Sequence, residues 1–123
     1  MTINEAIIKA DRMCAANQYT RTEKIEWLNS IDAQIKQEII DIREDADKIQ
    51  FSGYTEDTDD DTELLVGVPY HELYIFYLAS QIALYNGDTR KYNTYLSSYN
   101  ELLLQFRNYY NRMHKDINTN LKF

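Results

Sequence analysis

One cysteine, one proline, three glycines and two histidines among 123 residues put several classes of protein out of reach. A lone thiol, Cys14, supports neither an intramolecular disulfide nor a multi-cysteine metal site. A strand-rich fold of this length would have to reverse direction many times, and so few turn-forming residues argue against it. Helices are the default. No apolar run approaches the roughly 20 residues that a membrane span needs, and residues 1–11 carry charges too early for a secretory leader. These features predict a protein made and used in a reducing cytoplasm, with no membrane partner. The sequence also lacks a Gly-rich phosphate loop, a nucleophile elbow and a Cys/His metal pair, which predicts no enzyme, no cofactor and no resident metal.

What the chain does have is apolar and aromatic mass. Apolar residues make up 44%, enough for one globular core and too many for a disordered tail. Nine of the eleven tyrosines fall between residues 70 and 110. The net charge of −7 argues against a general nucleic-acid-binding field. Its distribution matters more than its sum. Residues 41–63 hold ten acids and two bases, whereas residues 88–123 hold six bases and three acids. Such a chain attracts a basic neighbour at one place and an acidic one at another.

The periodicity predicts a single all-α domain: a four-helix up-and-down bundle with helices over about 3–17, 21–46, 69–86 and 88–115. Thr2 with Glu5, and Thr20 with Glu23, are capping-box pairs that open the first two helices. Ile3, Ile7, Ala10 and Cys14 lie on one face of the first, which makes Cys14 a small buried hydrophobe. Trp27, Leu28, Ile31, Ile35, Ile39 and Ile42 line the second, with Glu23, Glu26, Asp32 and Lys36 opposite. Pro69 suits the first turn of the third helix, which is apolar nearly all round and so is buried on several sides. Asn86-Gly87 stops it and Asp88 caps the fourth, a tight connection that makes an antiparallel hairpin. In that fourth helix Tyr92, Tyr99, Phe106 and Met113 recur every seven residues.

Between the second and third helices, residues 50–68 read as an acidic loop, solvated and self-repelling, with a touch-down through Leu64, Leu65 and Val66. A calcium loop starting at Asp57 fails, since Thr62 stands where Gly is needed and Val68 where the bidentate Glu belongs. His71 and His114 fall at hairpin ends that an antiparallel pairing brings together, yet a histidine near a helix C-terminus has an ordinary electrostatic role. Two tyrosine-rich helices exceed what a monomer of this size buries, and tyrosine is favoured at protein interfaces. The candidate interface residues are Tyr74, Tyr77, Tyr85, Tyr92, Tyr95, Tyr99, Phe106, Tyr109 and Tyr110.

The segment PYHELYIFYLASQIALYNGDTRKYNTYLSSYNELLLQFRNYYNRMH, with its Tyr-Asn-Gly turn and the later Tyr92-Asn93, Tyr99-Asn100 and Tyr110-Asn111 pairs, resembles small proteins of tailed-bacteriophage and prophage structural-gene clusters. TINEAIIKAD and EKIEWLNSID are similar to the same group. The likeness covers about two-thirds of the chain and carries no catalytic residue. It implies a head–tail connector (adaptor): a non-enzymatic virion protein that forms a homo-oligomeric ring between portal and tail-completion proteins, first in the bacterial cytoplasm and then in the virion. DNA would pass through such a ring without sequence-specific binding. Glu56, Asp57, Asp59, Asp60, Asp61 and Glu63 would be an acidic lining that repels it. The alternative is a small cytoplasmic adaptor or regulatory module that binds a protein partner through the Tyr-rich hairpin.

Overall fold

The computed structural model describes residues 1–14 and 17–116. Its helices are α1 (Ile3–Met13), α2 (Arg21–Ile35), α3 (Leu73–Tyr85) and α4 (Thr89–Met113). Among the described residues there are no strands, only isolated bridges at Thr2–Glu63 and Arg43–Asp116. The chain is an all-α helical bundle.

Both capping boxes form. The Thr2 hydroxyl accepts from the Glu5 amide at 3.1 Å while the Glu5 carboxylate accepts from the Thr2 amide, and Thr20 and Glu23 repeat the exchange. Each pair satisfies two amides that a helix start leaves without partners. On α1, Ile3, Ala6, Ile7 and Ala10 are buried, whereas Met13 is exposed. The helix stops at Met13, short of the expected residue 17; residues 15 and 16 lie outside the described residues.

The second helix departs most from its periodicity. Expected to run to residue 46, it is α-helical only to Ile35 and then widens into a π-helical turn over Lys36–Ile40. The Asp41 amide there donates back to the Lys36 carbonyl at 2.8 Å. Widening adds a residue to the turn and rotates the downstream side chains about the helix axis. Ile39 and Ile40 both enter the core, and Ile42, expected there, is 40% exposed. A 3₁₀ turn at Ala46–Lys48 follows.

The third helix also starts late. Pro69 does not open it: the residue follows a cis Val68–Pro69 bond in an exposed turn, and α3 begins at Leu73. The chain instead turns through bonds that reach three residues back, Tyr70 N to Gly67 O and Leu73 N to Tyr70 O. The four-back α pattern sets in with Phe76 N to Glu72 O at 3.3 Å. Leu73, Tyr74, Leu78, Ala79, Ile82 and Ala83 are buried on α3, as its all-round apolar surface predicts, because α1, α2 and α4 all pack on it. Gly87, at φ +76°, takes the left-handed position that ends α3. Asp88 then caps α4 by accepting from the Lys91 amide at 3.1 Å.

Candidate functional site

Residues 50–68 contain no helix, as expected, yet they are tied down along their length. Three backbone bonds hold them to the start of α1: Ile3 N to Thr62 O, Asn4 N to Asp60 O, and Leu64 N to Met1 O, at 3.0–3.1 Å. Two of these use helix-start amides that would otherwise need water. Leu64 and Val66 are buried, so the touch-down is real, and Tyr54 is buried beside them.

The anchor beneath this segment is Asp32, which the periodicity assigns to the solvent face of the second helix and which is fully buried. Its Oδ2 accepts from the Tyr54 hydroxyl at 2.5 Å and the Leu65 amide at 3.0 Å, and its Oδ1 accepts from the Tyr74 hydroxyl at 2.6 Å. The Tyr74 oxygen in turn accepts from the Val66 amide at 2.8 Å. Burial pushes the Asp32 carboxyl above its ordinary range, against the pull of the three donors. Burial, then the Asp32 charge, raises both tyrosines. This hub joins α2, α3 and the acidic segment. Its donors lie 22 to 42 residues away, so periodicity within one helix carries no sign of it.

Tyr74, a candidate interface residue, is therefore core, with 0% exposure. Tyr99, Phe106 and Tyr110 are also buried in the chain's own core, Tyr99 against Tyr77 with ring centroids 5.0 Å apart. Tyr77, Tyr92 and Tyr95 are half-buried, whereas Tyr85 is 61% exposed and Tyr109 39%. The hairpin does not present one continuous tyrosine surface. Its buried rings knit α3 to α4, and exposed aromatic area is left mainly at its turn.

At that turn Tyr85 stacks on Trp27 (5.7 Å, 5°), and Tyr19 packs on both rings while its hydroxyl donates to Asn86 Oδ1 at 2.7 Å. Tyr19 and Trp27 are not among the residues that the tyrosine pattern singles out. Alongside lies an open cleft of about 270 Å³ whose lining includes Met13, Cys14, Asn86, Lys91 and Tyr95. Cys14 is half-buried, and burial pushes its thiol above the ordinary range.

The six acids named as a lining, Glu56, Asp57, Asp59, Asp60, Asp61 and Glu63, are all exposed within one stretch of eight residues, an acidic ridge along the chain. Asp60 pairs with Arg21, and Glu63 with the N-terminal ammonium at 3.0 Å. Glu56, Asp57, Asp59 and Asp61 make no ion pair among the described residues. No group of three or more His, Cys, Asp or Glu among the described residues is placed to hold a metal ion.

The two histidines serve different ends. His114 Nδ1 lies 2.7 Å from Asp45 Oδ2, and its ring stacks on Tyr110 at 3.8 Å. That hydrogen bond holds the Asp45 carboxyl below its ordinary range. Buried Arg43 reaches Asn111, so the end of α4 is stapled to residues 43–45. His71 Nδ1 is buried without a hydrogen-bond partner among the described residues. A second buried cation, Lys24, pairs with Asp11 at 2.8 Å and ties α2 to α1.

The chain matches no protein-family model, no curated protein and no solved structure. No helix among the described residues is long and apolar enough to cross a membrane.

Proposed function

We propose that this chain is a non-enzymatic structural protein of a phage or prophage virion, a head–tail connector that works by assembling into a ring between portal and tail. The resemblance of its tyrosine-rich hairpin and N-terminal segments to such proteins supplies the family. The observation that carries the assembly part is the exposed aromatic and apolar area at the hairpin turn. Tyr85, Leu84 and Met13 are 61%, 44% and 41% exposed there. Exposed apolar side chains gathered at one end of a small globular protein mark a contact surface, and Met13 also lines the open cleft there.

Buried Asp32 and Lys24 fit a structural role, since both are engaged in bonds that join elements of the fold. The exposed acidic ridge is the candidate lining for a DNA channel. Like charge repels phosphate and lets a duplex slide instead of binding.

The test is electron microscopy and light scattering of the full chain, alone and co-expressed with a tailed-phage portal protein. A closed ring with a central channel, formed alone or on the portal, is the expected result. A monomer in both settings that instead captures a single cytoplasmic protein would overturn it in favour of an adaptor module.

A further inference from the structure

The molecule carries opposite charge at opposite ends of α1. Its first residues are bonded to Asp60, Thr62 and Leu64 of the acidic ridge. Its last, Met13 and Cys14, line the cleft with Asn86, Lys91 and Tyr95 at the hairpin turn. The ridge end holds four exposed carboxylates, Glu56, Asp57, Asp59 and Asp61, without an ion pair among the described residues. The hairpin end holds exposed Arg12, Arg90 and Lys91, near in the chain to the exposed apolar Met13, Leu84 and Tyr85. Of those three bases only Lys91 has an ion-pair partner among the described residues, Asp88 at 4.0 Å.

We infer that the hairpin end of one copy docks the acidic ridge of a second copy, a head-to-tail contact. The inference deepens the assembly reading above and rests on it only for self-association, not for a place between portal and tail; it puts the ridge in the contact between copies, in place of a channel lining.

Symmetry narrows the choice. A two-fold contact between hairpin ends would set Arg90 and Lys91 against their own copies, and a two-fold contact between ridges would set acid on acid. A contact that pairs the hairpin end with the ridge brings opposite charges together, and repeated head to tail it gives a closed ring or an open filament. The cleft supplies a receptor for one ridge carboxylate. Its walls offer the Lys91 ammonium and the Asn86 side-chain amide. Tyr19 occupies the Asn86 oxygen by donating to it, which leaves the Asn86 NH₂ to donate outward. Asp88, also on the wall, is engaged as the α4 cap. The exposed Met13, Leu84 and Tyr85 give the contact its apolar part.

The test uses the full chain with two double variants at exposed positions, Arg90→Glu/Lys91→Glu and Glu56→Lys/Asp57→Lys, whose folding is checked by circular dichroism. Sedimentation and light scattering are run over a concentration series in about 20 mM and about 500 mM salt, which bracket weak and strong screening. The wild type should self-associate at low salt, and high salt or either reversal alone should weaken association about tenfold or more. An equimolar mixture of the two variants should restore it, because each then presents the complement of the other. A wild type that stays monomeric at low salt, reversals without effect, or a mixture that fails to associate would each overturn the contact. So would a monomer whose hairpin end instead captures a polyglutamate probe. Rings that survive both reversals would sink this contact and leave the connector reading standing. Filaments dissolved by either reversal, with no ring on a portal, would do the opposite.

Discussion

Removing the Asp32 carboxylate would strand three donors at once: the buried hydroxyls of Tyr54 and Tyr74 and the partly buried amide of Leu65. Asp32→Ala should therefore destabilise the fold by about 3 kcal/mol or more, since each orphaned buried donor costs about 1–3 kcal/mol. Asp32→Asn keeps one acceptor oxygen and turns the other position into a donor facing donors, which should cost about 2 kcal/mol. The partners are not equivalent. Tyr54→Phe deletes one donor, whereas Tyr74→Phe also leaves the Val66 amide without its acceptor, so Tyr74→Phe should be the more harmful by about 1 kcal/mol in denaturant titration. The pH dependence has a definite sign. Burial raises the Asp32 carboxyl, so its contribution is full below the ordinary carboxylate range and is lost as pH rises through the raised value. The stability gap between wild type and Asp32→Asn should accordingly be wider at acid pH and narrow as pH rises. A gap that widens with pH would show that the hydrogen bonds, not burial, dominate.

At the scale of the elements, the sequence is legible wherever local chemistry decides. The capping boxes, the Asn-Gly stop and the Asp88 cap all stand where side-chain spacing puts them. The end of α2 and the start of α3 are not legible, because a π-helical turn and the tight turns before Leu73 are decided by what packs against them. Ile40 replaces Ile42 in the core for that reason. The same limit hides the hub and the aromatic trio of Tyr19, Trp27 and Tyr85, whose partners are distant in sequence. The staple at the end of α4 gives the next prediction. His114→Ala removes both the ring stacked on Tyr110 and the hydrogen bond to Asp45. Hydrogen exchange should then speed up for the amides near Tyr110 and His114, and stay unchanged near Tyr99. The bond also holds the Asp45 carboxyl low, so its contribution is present above the ordinary carboxylate range and is lost as pH falls through the lowered value. The gap between variant and wild type should narrow in acid; equal exchange at neutral pH would mean that the end of α4 is held by its buried rings and by Arg43 on Asn111, without His114.

Across the whole molecule, one continuous core decides how the fold comes apart. It takes Ile3 and Ile7 from α1, Leu28 and Ile31 from α2, and Tyr54, Leu64 and Val66 from the acidic segment. Leu73 and Leu78 of α3 complete it together with Tyr99 and Phe106 of α4. No element can leave without exposing area that the others share, and the Asp32 hub adds a polar bond set that fails as a unit. Trp27, the chain's one tryptophan, packs on the edge of that core at the hairpin end, against Tyr19 and Tyr85. It reports on the proposed docking surface, while far-UV circular dichroism reports on the helices. Thermal unfolding followed by Trp27 fluorescence and by far-UV ellipticity should give one coincident transition, as a domain of this size with a shared core requires. The comparison belongs with the Arg90→Glu/Lys91→Glu variant in about 0.15 M salt, where the screening length is about 8 Å and the charge reversal keeps self-association low. A Trp27 transition at lower temperature would mean that the hairpin end opens on its own. The docking surface would then be ordered by its partner instead of offered ready-made.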